Sequence, residues 1–168
     1  MRFAAPLLAL AGLSLSLSAC GLQPIYAGGS QGVIARGLAD VEVAPIPGDE
    51  GWLVKNALED RLGRGANGGS ARYRLDIVLD DTLEGFGLLT DDTIGRERRT
   101  LRARYQLVDI ATDTILVDAT AGSDAGIDVV GSEYATIAAE QTALENLAED
   151  VADQIVLRLT RVLREQEQ

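Results

Sequence analysis

Histidine is absent from the 168 residues and cysteine occurs once. The first absence removes the commonest general base at neutral pH and the commonest neutral metal ligand, which points away from catalysis. The second rules out an internal disulfide, so stability has to come from packing. No phosphate loop, nucleophile elbow or metal-ligand spacing is present. The glycine-rich run at residues 63–69 follows a helical pattern and precedes a strand, the reverse of the order a phosphate loop needs. Positive charge is also scarce, with 15 Lys and Arg against 26 Asp and Glu and a net charge of −11. Such a surface repels nucleic acid and anionic lipid on average. Finally, the apolar run from Phe3 to Leu17, broken by Gly12, Ser14 and Ser16, falls short of the about 20 residues that span a bilayer.

That run, preceded by Arg2, instead has the length of a secretory signal core followed by small residues. Ser18-Ala19 stands directly before Cys20, and Leu17-Ser18-Ala19-Cys20 resembles a bacterial lipobox. The resemblance implies cleavage before Cys20, acylation of its thiol and of the new amino terminus, and loss of Arg2, which takes the net charge from −11 to −12. Several acyl chains, each methylene contributing about 0.8 kcal/mol, hold a protein on a membrane without a basic patch. Gly21 rather than Asp follows the cysteine, which favours the outer membrane and a periplasm-facing domain. The expected organisation is a signal peptide over 1–19, a lipid-anchored tether over 20–37 and a single domain over 38–168.

Past the glycine-rich tether, Val41 and Val43 alternate with polar residues before Pro45 and Pro47, the pattern of a short strand. Asp49 is placed to cap a helix in which Leu53, Val54, Ala57, Leu58 and Leu62 recur at helical spacing, with Gly63 or Gly65 to end it. Trp52 is expected to pack against the sheet, the alternative being a ligand platform. Tyr73, Leu75, Ile77 and Leu79 mark one face of a half-buried strand, and Leu101, Ala103, Tyr105 and Leu107 mark another. After a turn at residues 110–113, Ile115, Val117 and Ala119 mark a third strand ending near Ala121. Residues 82–95 and 122–131 read as loops, the first exposing Phe86, Leu88 and Leu89. Ser132 then caps a long amphipathic helix with Ile137, Leu144, Ala148, Val151, Ile155, Leu159 and Val162 in one stripe. Its acids come early and Arg158, Arg161 and Arg164 late, as the helix dipole prefers. The fold class is therefore α+β: a two-layer sandwich in order β-α-β-β-β-α, a four-stranded mixed sheet with two helices on one face.

Five arginines fall between Arg96 and Arg104. Alternation puts Arg96, Arg98, Arg102 and Arg104 on the outer face, beside Arg72 and Arg74 of a neighbouring strand. Guanidinium groups bind phosphates through paired donors, so the stripe suits a phosphorylated amphiphile or an acidic partner. Asp76, Asp80 and Asp118 share that face and offer the other reading, ordinary cross-strand pairing.

The mature start Cys20-Gly21-Leu22-Gln23-Pro24-Ile25-Tyr26, the strand from Arg99 to Asp109 and the helix start from Ser132 to Glu140 together resemble the lipopolysaccharide-assembly lipoproteins, the LptE (RlpB) family, in its alphaproteobacterial form. The resemblance covers essentially the whole mature chain. It implies a non-enzymatic subunit, without cofactor or metal, that partners and plugs a large LptD-like outer-membrane β-barrel and contacts lipopolysaccharide. Carried over by position, Arg98, Arg99, Arg102 and Arg104 are the candidate lipopolysaccharide contacts, to which strand alternation adds Arg72 and Arg74; Phe86, Leu88 and Leu89, apolar residues exposed in the 82–95 loop, are our own candidates for barrel contact. An auxiliary lipoprotein of a lipid-transporting ABC system is the alternative.

Overall fold

The computed structural model describes residues 33–63, 71–88 and 94–166; Cys20, Leu89 and the first part of the expected tether lie outside them. The elements are α1 (Val33–Ala39), β1 (Val41–Val43), α2 (Asp49–Leu62), β2 (Tyr73–Leu88), β3 (Ile94–Asp109), β4 (Thr114–Asp128) and α3 (Glu133–Gln166). The sheet runs β1-β2-β3-β4. β1 pairs with β2 in parallel, through the α2 crossover, and the other pairs are antiparallel. This is the mixed four-stranded α+β sheet of the sequence reading, with one addition: α1 forms where the end of the tether was expected. Leu38 of α1 is buried in the common core, and Gly37 lies beside Leu163 of α3.

The alternation of the central strands is as read. Tyr73, Leu75 and Ile77 face the helices with Leu101, Ala103, Tyr105 and Leu107, and all seven are buried. Val54, Leu58 and Leu62 of α2 and Leu144, Leu147, Val151, Ile155 and Leu159 of α3 meet them. Gly63 ends α2 in the left-handed conformation at φ 91°, its N–H bonded to the Glu59 carbonyl, a position that favours glycine. Asp49 is not the cap. Gly48 holds that position, and Asp49 and Glu50 form the first turn, where carboxylates suit the helix dipole. Trp52 is 66 % exposed, so it packs against no part of the sheet; the helical face opposite Val54 and Leu58 carries it into solvent.

The strands are longer than expected. Residues 82–88 continue β2 and residues 122–128 continue β4, so neither stretch is a loop. Glycines 85, 87, 122 and 126 weaken the strand signal there, while cross-strand pairing to β3 holds both stretches in register. A bulge opposite Leu107 and Val108 leaves Leu116 as the extra residue. Leu116 accordingly packs on the core and Ile115 is exposed, the reverse of a straight alternation. Along α3 the stripe holds from Leu144 onward, but at the helix start Thr136 is buried and Ile137 exposed. A straight helix over a twisted sheet turns a different side toward it at each end.

The open face of the sheet

Apart from Leu116 at the bulge, residues of even number on β2, β3 and β4 point away from the helices. On β3 these include Arg96, Arg98, Arg102 and Arg104, all exposed. The register sets Arg104 opposite Val78 and Thr120, Arg102 opposite Asp80 and Gly122, and Arg98 opposite Glu84 and Gly126. The arginine row thus runs between two acidic rows: Asp76, Asp80 and Glu84 on β2 and Asp118, Asp124 and Asp128 on β4. Asp124 and Asp128 escape a reading that ends the strand at Ala121. The signal was there, since Ala125 and Ile127 alternate with Asp124 and Asp128.

Most of the candidate arginines have acidic partners. Arg74 Nε donates to both Asp76 oxygens at 3.0 Å, and Arg96 Nε to Asp128 at 2.9 Å. Arg104 donates to Asp118 at 3.2 and 3.4 Å, and Gln106 joins the same carboxylate at 2.9 Å. These hydrogen bonds, that of Arg104 first and Gln106 second, hold the Asp118 pKa below its ordinary value. Arg98 lies 3.8 Å from Asp124 and stacks on Phe86, 5.4 Å from the ring centroid. Arg72, just before β2, is 3.7 Å from Asp109 and 5.0 Å from the Tyr73 ring centroid. Among the described residues Arg102 has no acid within ion-pair distance. It borders a depression of about 420 Å³ together with Asp80, Arg104, Thr120 and Asp124.

Arg99 is separate from this row. Its odd number turns it toward the helices, where it meets Asp81 in a two-pronged pair at 2.6 and 3.0 Å and donates to the Glu140 carbonyl of α3 at 3.1 Å. Both partners of the pair are largely covered, at 16 and 18 % side-chain exposure. Arg99 therefore fastens the early part of α3 to the sheet, on the opposite face from the other candidate lipopolysaccharide contacts of β3. Beside it Glu97 also faces inward. Its Oε2 is shielded and accepts no hydrogen bond in the structure, and burial first, then the neighbouring Glu140 carboxyl, push the Glu97 pKa up.

Of the candidate barrel contacts, Phe86 is exposed on the open face under Arg98. Leu88 is the last residue of β2 rather than a loop residue. Among the described residues no cluster of His, Cys, Asp or Glu is arranged to hold a metal ion, and no helix is long and apolar enough to cross a membrane.

Solved structures that share this fold include three lipoproteins. A Caulobacter crescentus CB15 protein described as a lipoprotein matches with TM-score 0.67 at 24 % identity, covering 80 % of this chain and 98 % of its own. The minor lipoprotein of Acinetobacter baumannii matches at 0.55 and 18 %, covering 72 and 91 %. Rare lipoprotein B of Shewanella oneidensis matches at 0.58 and 8 %, covering 76 and 100 %. At such identities the likeness shows the fold alone. No curated protein sequence matches the chain. A family model described as lipopolysaccharide-assembly, LptE, matches residues 38–159, which is the domain from the end of α1 through most of α3, and the chain belongs to that family.

Proposed function

We propose that the protein is a lipid-anchored, non-enzymatic subunit of the outer-membrane machinery that assembles lipopolysaccharide at the cell surface, acylated at Cys20 and facing the periplasm. The observation that carries this reading is the family match over the folded domain. The lipobox-like run before Cys20 and the absence of histidine accord with it. The partner in this reading is an LptD-like β-barrel that the domain enters as a plug, with residues 20–32 as the tether between acyl chains and α1.

The open face of the sheet is the proposed lipopolysaccharide contact. Arg102, with no ion pair among the described residues, is its first cation, and Arg98 and Arg104 stand on either side. Exposed ion pairs contribute about 0–1 kcal/mol, whereas a guanidinium holds phosphate by paired, charge-assisted bonds. The neighbouring arginines can therefore exchange an aspartate for a lipid A phosphate at small cost. Replacing Arg98, Arg102 and Arg104 by Glu is expected to abolish retention of purified lipopolysaccharide while the far-ultraviolet circular dichroism stays unchanged. Undiminished binding by the folded triple variant would remove the face from the proposal. In cells, depletion of the protein is expected to leave newly made lipopolysaccharide in the inner membrane and periplasm instead of on the surface.

A further inference from the structure

The two edges of the sheet are treated differently. Odd-numbered residues of β2 aim their backbone groups at β1: Tyr73 N–H donates to the Asp40 carbonyl at 3.1 Å and the Leu75 carbonyl accepts from Ala44 N–H at 3.0 Å. β1 ends at Val43, yet β2 runs to Leu88. From Ile77 through Leu79, Asp81, Leu83 and Gly85, N–H and C=O groups therefore face outward, and no described residue bonds to them. On β4 it is the even-numbered residues that face the free side. There Gln154 of α3 takes both groups of Gly122, its Nε2 donating to the carbonyl at 3.1 Å and its Oε1 accepting from the N–H at 3.3 Å. Unpaired edges are templates for another strand. That of β4 is blocked at its middle, and that of β2 is not.

The layer above this edge is also incomplete. α2, at 14 residues, is about 21 Å long, whereas β2 at 16 residues extends about 53 Å. The backbone of α3 comes close to β3 and β4 but not to β2. Leu83, on the helix side of β2, is consequently 44 % exposed. On the other side of the same edge stand Asp80 and Glu84, exposed and without an ion pair among the described residues. A strand added here would set alternate side chains against Leu79 and Leu83 on one face and against Asp80 and Glu84 on the other.

We propose that the free edge of β2 over residues 77–85 receives an extended segment of a partner protein in which apolar and basic residues alternate. Charge decides between occupants. A second copy of this chain offers only acidic edges, Asp80 and Glu84 on β2 or Asp118, Asp124 and Asp128 on β4, and like charges across a strand pair are destabilising. Main-chain bonds supply the docking and the alternating side chains the selectivity, as in strand addition generally. The proposal does not depend on the barrel partnership, which can hold with this edge empty.

The test uses the full mature protein, isotope-labelled in a non-ionic detergent, and two capped nine-residue peptides, one alternating lysine with valine and the other glutamate with valine. The lysine peptide is expected to slow amide exchange at Ile77, Leu79, Asp81, Leu83 and Gly85 at least tenfold, leaving the even-numbered amides of β2, already bonded to β3, unchanged. The glutamate peptide is expected to leave all of them alone. The double variant D80K/E84K, altered only at exposed side chains, should bind the lysine peptide at least tenfold more weakly. Equal binding of the two peptides, protection appearing on β4 instead, or no protection at the five amides overturns the proposal. The wild-type comparison decides it even if the double variant fails to fold.

Discussion

Arg99 and Glu97 show how one strand serves two purposes. Even-numbered residues of β3 meet solvent; these two odd-numbered ones meet α3, where water is scarce and each charge needs a partner. Arg99 has Asp81 and the Glu140 carbonyl. Removing one member of a covered pair leaves the other charge unsatisfied, so Arg99→Ala is expected to destabilise the protein by about 2–3 kcal/mol, measured by urea unfolding. Glu97 lacks such a partner, and its pKa is raised by burial and by Glu140. A carboxyl whose folded pKa exceeds its unfolded one favours folding below the unfolded value. That contribution is lost as pH rises through the folded value. Glu97→Gln should therefore raise stability at pH 7 relative to the native chain and flatten the decline between pH 4.5 and neutrality. Identical pH profiles for the two proteins would contradict the assignment.

At the scale of elements, α2 is fixed by a close backbone approach at its start. A Cβ on Gly51 would stand 2.6 Å from the Ile46 carbonyl oxygen, a distance that forces the first turn away from the β1–α2 connection. Gly51→Ala is expected to lower the melting temperature by several degrees even though alanine is the better helix former; a rise would show that the connection yields freely. Much of the element pattern was legible in the sequence because Tyr73 to Ile77 and Leu101 to Leu107 alternate cleanly and Leu144 to Leu159 recur at helical spacing. What escaped did so for physical reasons. The far halves of β2 and β4 contain glycines and few apolar residues, and only pairing with β3 makes them strands. The bulge that exchanges Ile115 for Leu116 depends on the facing strand, not on local preference. α1 is too short to stand without Leu38 in the core. The candidate site was legible in part: alternation placed Arg98, Arg102 and Arg104 on one face with Asp118, which pairs with Arg104, but Asp124, which lies beside Arg98, comes from the half of β4 that read as loop.

In the proposed reading an acidic chain, of net charge −11, serves a machine that handles anionic lipid, and the arrangement of its charges reconciles the two. Four exposed arginines of β3 run between acidic rows on β2 and β4, and three of them are paired with β4 aspartates, so the face exposes little net positive field. Binding on such a face is sensitive to salt, and raising sodium chloride from 50 to 500 mM is expected to weaken lipopolysaccharide retention severalfold without unfolding the domain. Attachment to the membrane is a separate matter, which the proposal gives to Cys20. Cys20→Ala should leave the domain folded but release it to the soluble periplasmic fraction.

The central claim is membership of a lipopolysaccharide-assembly complex at the outer membrane. Its most direct test is affinity purification of the tagged, acylated protein at native abundance from outer membranes in mild detergent, followed by mass spectrometry of what is retained. The account predicts a large outer-membrane β-barrel in equimolar amount. Recovery with an inner-membrane ABC transporter and no barrel would contradict it.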